Sequence, residues 1–151
     1  MTKSLCLLAF TVVSVAVLSA GEARLSQSAF DRNTAAAEWQ PWAVRDEIAP
    51  RTAVSTERDR GQPGALMISG GGNASAYGGW QRVVDGIEPG RWYRFVAHYQ
   101  AADVDDEAQR VVSRLDWAKQ NGKRAGQPDY VFKVESDGDW RRVTLDAPAP
   151  P

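Results

Sequence analysis

Cysteine and histidine are almost absent from this chain of 151 residues, with one of each. Cys6 sits in an apolar N-terminal stretch. A lone thiol there builds neither a disulfide framework nor a thiolate metal site. His98 alone gives no serine–histidine–acid pattern, and a single strand histidine is ordinarily just hydrogen-bonded. An excess of either charge is missing too: 18 basic and 19 acidic residues leave a net charge of −1. Without basic excess there is little to hold a phosphate backbone, which argues against a nucleic-acid partner. The glycine-rich loop Gly70-Gly71-Gly72-Asn73 lacks the Gly-Lys-Ser/Thr ending of a phosphate loop and the helix that should follow. No internal repeat and no long amphipathic helix can be read.

What is present is ordinary for a folded domain. The chain is 43% hydrophobic and 25% charged, and its length suffices for one domain with a core. Six tryptophans are many for that length. Each is costly as core filler unless its N–H finds an acceptor. Some of them are therefore candidates to face a ligand or a neighbouring domain.

The N-terminus reads as an export signal. Lys3 supplies the positive region, residues 5–18 the apolar region, and small residues follow, with cleavage expected after Ala20 or Ala23. The apolar run falls short of the about twenty residues of a membrane span. Residues 1–23 are assigned to this leader, so the protein is expected to be secreted or periplasmic, with no membrane contact after cleavage. The mature chain would then hold no cysteine.

The remainder reads as antiparallel β structure. Strands are expected at residues 48–56, 65–69, 77–84, 91–101, 109–118, 130–135 and 140–145. Tight turns are expected at Asp85-Gly86-Ile87-Glu88-Pro89-Gly90, Asn121-Gly122 and Asp137-Gly138. In the strand after Gly90, Tyr93, Phe95, Ala97 and Tyr99 alternate with Trp92, Arg94, Val96 and His98. The first set is the better core face. Val143 and Leu145 are expected inward, and Tyr130, Phe132 and Val134 share one face. The tail Ala147-Pro148-Ala149-Pro150-Pro151 is expected to leave the ladder, since proline lacks an N–H. About seven short strands with turn signals between them predict a sandwich or barrel. The sandwich is assigned to residues 28–147, with 148–151 as a Pro-rich linker end or truncated strand.

The run Ala76-Tyr77-Gly78-Gly79-Trp80-Gln81, the turn Gly86-Ile87-Glu88-Pro89-Gly90, Tyr93, the run Arg114-Leu115-Asp116-Trp117 and Gly138-Asp139-Trp140 carry a resemblance. Together they resemble a jelly-roll carbohydrate-binding module of the galactose-binding-like type. More narrowly, they are similar to the N-terminal sandwich of some secreted bacterial carbon–nitrogen hydrolases. The resemblance implies an all-β jelly roll that finishes with a further strand. Its absence before Pro151 makes this chain an expected fragment of a larger enzyme. It also implies an attached C-terminal catalytic domain as partner. The hydrolase residues themselves are missing, so no hydrolase activity is assigned.

Sugar rings offer flat C–H faces to aromatic rings and hydroxyls to polar groups. Trp80, Tyr77, Arg82, Arg114, Asp116 and Trp117 supply that mixture and form the candidate glycan site. Trp92 is a second-tier candidate, while Trp39, Trp42 and Trp140 read as structural. Gln81 accompanies the first set. The alternative function is an accessory domain that packs on the attached hydrolase and binds no sugar. No cofactor is expected. Asp103, Asp105, Asp106 and Glu107 could offer calcium carboxylates but lack the glycine and spacing of a calcium hand, although related sandwiches often carry calcium near their first strands. Asp116 and Glu135 are a conceivable carboxylate pair for glycoside cleavage, but nothing in the sequence aligns them. The chain therefore reads as noncatalytic. Asn73-Ala74-Ser75 matches a glycosylation sequon and is taken as coincidence in a bacterial chain.

Overall fold

A computed structural model describes residues 7–17, 24–29, 38–55 and 64–151. The proposed cleavage positions, Cys6, residues 30–37 and most of the charged turn at 57–64 lie outside the described residues.

The described chain is all-β and antiparallel. Its strands are β1 (Leu7–Val17), β2 (Arg24–Ala29), β3 (Gln40–Ala43), β4 (Arg51–Ser55), β5 (Ala65–Ser69), β6 (Gly78–Gln81), β7 (Trp92–Ala102), β8 (Arg114–Leu115), β9 (Asp129–Tyr130), β10 (Lys133–Asp137) and β11 (Trp140–Pro148). The main sheet runs β10-β11-β7-β1-β5-β4, with β2 also paired to β1. Two small ribbons, β3–β6 and β8–β9, accompany it.

The alternation in β7 explains the core. Tyr93, Phe95, Ala97 and Tyr99 are all buried, as their period of two requires. Beside them on the same cluster lie Leu66 of β5 and Val143, Ala147 and Ala149 from β11 and its extension. Trp39, Trp80, Ile87, Leu115 and Val131 close over that cluster. They come from the two ribbons and their connections, so the arrangement is sandwich-like. Burying each large side chain contributes about 1.5–3 kcal/mol before entropy is counted.

Turn chemistry acts where expected. Gly138 has a φ of 63° between β10 and β11, and the Gly122 N–H reaches the Lys119 carbonyl at 2.8 Å. Both positions suit glycine, which enters the left-handed region without a Cβ clash.

Five expectations change, the first being that residues 130–135 are not one strand: β9 ends at Tyr130, Val131 turns onto the core, and β10 starts at Lys133. Residues 109–118 are not one strand but a helical turn, Glu107–Arg110, followed by the two-residue β8. The Glu107 carboxylate accepts the Tyr99 hydroxyl at 2.6 Å, which anchors the helical turn on the sheet. Residues 48–56 begin with a 3₁₀ turn, Asp46–Ile48, and pair only from Arg51. The strand expected over 77–84 is confined to Gly78–Gln81, because β3, its one partner among the described residues, is four residues long. The tail does not leave the ladder: Pro148 pairs opposite Trp92, and the Ala149 N–H donates to the Arg91 carbonyl at 2.8 Å. Ala149 takes the bond that faces β7. Pro148 meets the opposite edge, past Lys133–Thr144, where β10 pairing begins. There no N–H is needed.

Strand β1 is the apolar stretch read as the leader. Its backbone pairs with β7 from Leu7–Ala102 to Val17–Tyr93 and with β5 from Leu7–Ser69 to Phe10–Leu66. Removing it would leave the edges of β5 and β7 facing each other with their β1-directed amides and carbonyls unpaired.

Candidate ligand-binding surface

The six candidate glycan residues divide by environment. The Trp117 side chain is buried, and its indole N–H donates to the Asp129 carboxylate at 2.6 Å. Its ring also lies 6.4 Å from that of Tyr93. Trp80 is half-buried against the core, with its N–H on the Met67 carbonyl at 3.1 Å. Both indoles thus have satisfied donors and face inward. Arg82 is held by Glu38 at 2.9 Å.

Tyr77, Arg114 and Asp116 are brought together through a residue expected to be structural. Trp42 meets Tyr77 edge to face at 5.7 Å between centroids, and the Arg114 guanidinium stands 5.6 Å over the Trp42 ring. The register of β3 sets the position: Trp42 pairs with Gly79, and its indole lies beside that glycine. Asp116 accepts from Arg114 Nε at 2.8 Å. Partial burial pulls the Arg114 pKa down, but hydrogen bonds and charge from Asp116 and then Tyr130 outweigh it, so the guanidinium stays above its ordinary range. Tyr77 is 51% exposed. Its ring is therefore a free edge of an ordered aromatic–cation cluster.

Tyr130 links this cluster to a second feature. Arg114 pairs with Tyr130 across β8–β9, and Tyr130 also lines a surface cleft of about 410 Å³. Phe132 projects beside it and is 89% exposed. The cleft includes Arg94, Glu135, Arg142 and Asp146. Arg94 and Asp146 face each other across β7–β11 and form a two-pronged pair at 2.7 and 2.9 Å. The hydrogen bond from Arg94 holds the Asp146 carboxyl below its ordinary pKa; partial burial opposes this, and the charges of Arg94 and Lys133 assist it. The cleft volume lies within the range of small-ligand sites, about 300–1,000 Å³.

Tyr130, Phe132 and Val134 are all exposed, while Val131 packs on the core. The apolar run carries side chains on both faces, so alternation alone could not say which set turned outward. Phe132, Tyr130 and Trp42, with the charged Arg94, Arg142 and Asp146, are the ligand candidates that the sequence did not supply. The only signal for Phe132 was an aromatic residue one step out of phase with Val131.

Among the described residues no group of three metal-ligating side chains is gathered. Glu107, from the acidic loop, is engaged by Tyr99 and by Arg141 at 3.4 Å. His98 Nε2 lies 3.5 Å from the Asp137 carboxylate. Trp92 is 51% exposed, on the outward phase of β7.

No protein family, no curated protein and no solved structure matches this chain.

Proposed function

We propose that this chain is an exported, noncatalytic carbohydrate-binding module built on a jelly-roll sandwich. Its glycan surface runs from Tyr77 and Arg114 through Tyr130 to the Phe132 cleft. The observation that carries the reading is Phe132, an aromatic ring 89% exposed beside a cleft lined by paired charges. An isolated phenyl ring in water is unfavourable, and a sugar face removes its C–H surface from solvent. Arg94 and Asp146 hold each other at fixed positions, so they meet hydroxyls with little further ordering cost. Trp80 and Trp117 serve the core in this reading, and Tyr77, Arg114 and Asp116 keep their ligand roles.

The test is retention on immobilised polysaccharides. Phe132→Ala should lower retention by about tenfold with an unchanged melting temperature, since the ring has almost no packing to lose. Equal retention of wild type and variant on every binding glycan would contradict the reading.

A second reading has its own observation. Trp92 is 51% and Val83 82% exposed, and neither lines the cleft. Such apolar side chains suit contact with an attached domain. In that case the module packs on a carbon–nitrogen hydrolase domain and retains no glycan.

A further inference from the structure

The cleft carries three cations, Arg94, Lys133 and Arg142, against two anions, Glu135 and Asp146. Two of the cations are already neutralised. Asp146 takes both prongs of Arg94, and Glu135 lies 3.1 Å from the Lys133 ammonium. Arg142 is the third. It sits opposite Glu135 on β10 and opposite His98 on β7, yet forms no ion pair or hydrogen bond with another described side chain. The nearby Asp137 is turned to His98. Its chain neighbour Arg141 takes the opposite phase of β11 and reaches Glu107 at 3.4 Å. Arg142 is thus an exposed guanidinium with its donors available, in the same cleft as two aromatic rings.

Resting on the carbohydrate reading above, we infer that the cleft selects glycans bearing carboxylates, with Arg142 as the group that receives the carboxylate. A guanidinium presents parallel N–H donors that match a carboxylate's two oxygens. A neutral sugar offers Arg142 only single, uncharged hydroxyl acceptors, without the paired oxygens and charge of a carboxylate. A uronic acid unit meets both halves of the cleft, its ring on Phe132 or Tyr130 and its carboxylate on Arg142. The net positive charge of the cleft acts in the same direction.

The test compares polygalacturonate, alginate and hyaluronan with their methyl-esterified forms by calorimetry. Esterification keeps the rings and removes only the charge. Wild type should bind at least one acidic form about tenfold more tightly than its ester, the factor expected for one charge-assisted contact. Arg142→Gln should bring that ratio close to one. Lys119→Gln, which removes an exposed cation outside the cleft, should keep it and so controls for net charge. Equal binding of acid and ester by wild type overturns the carboxylate inference and leaves the module reading standing. A ratio that survives in Arg142→Gln overturns the role of Arg142. Preference for dextran sulfate over every polyuronate overturns the choice of carboxylate. Failure to bind any glycan, acidic or neutral, overturns both this inference and the reading beneath it.

Discussion

The Trp117 indole donates to the Asp129 carboxylate at 2.6 Å, and this bond turns the one aromatic residue of the Arg114–Trp117 run away from solvent. Its neighbours Arg114 and Asp116 stay at the surface on the other phase of the chain. One short segment thereby serves the core and the candidate surface at once.

That bond gives the first prediction. Trp117→Phe keeps an aromatic ring but leaves Asp129 without its donor and opens space in the core. A loss of about 2–4 kcal/mol in unfolding free energy is expected, by urea denaturation, from the combined hydrogen-bond and cavity terms. Glycan affinity of the folded fraction should be unchanged. A stable variant with lost affinity would return Trp117 to the ligand surface.

The Tyr99 hydroxyl predicts a pH dependence. Burial, then its hydrogen bond to Glu107 and that carboxylate's charge, push the Tyr99 pKa well above its ordinary value, against a small opposing effect of Arg141. A folded pKa above the unfolded one means stability that is complete below about pH 10, where the unfolded tyrosine ionises, and lost as pH rises further. The stability difference between wild type and Tyr99→Phe should be constant up to about pH 10 and shrink above it. Urea midpoints measured across that range check this; a difference that stays flat to pH 12 would contradict the assigned environment.

Gly78 predicts a packing effect on the aromatic cluster. A Cβ there would run into the Trp42 carbonyl oxygen and lie 2.7 Å from Pro50 Cδ. Both are stiff neighbours, so Gly78→Ala must push β3 away from β6. A cost of about 1–3 kcal/mol is expected, together with a weaker Tyr77-side contribution to glycan binding. Thermal melts and calorimetry on the same sample measure both.

Export and a complete sheet make opposite demands on β1. A chain cleaved after Ala20 or Ala23 lacks the strand that sits between β5 and β7. Intact mass of the exported protein should correspond to loss of the leader. Hydrogen exchange should then be faster at the β7 amides that point toward β1 than in a chain with an uncleavable leader. Retention of Met1 in the exported product would contradict the leader assignment.

The core was legible because β7 alternates cleanly: Tyr93, Phe95, Ala97 and Tyr99 needed no tertiary information to be assigned inward. The turns at Gly122 and Gly138 were legible for the same local reason. The helical turn at Glu107 was not, since its anchor is the Tyr99 hydroxyl on a different strand. The indole directions of Trp80 and Trp117 were equally hidden. Each depends on an acceptor thirteen or twelve residues away, the Met67 carbonyl or the Asp129 carboxylate. The outward turn of Phe132 follows from Val131 taking the core position. In a run of adjacent apolar residues that choice is made by packing, not by pattern.

The most direct test of the account is amide chemical-shift mapping of the ¹⁵N-labelled protein during titration with a polysaccharide that retains it. Shifts are expected at Tyr130, Phe132, Lys133, Arg142 and Asp146, and at Tyr77 with a longer oligosaccharide. Perturbation confined to the Trp92 and Val83 surface, with the cleft silent, would contradict it.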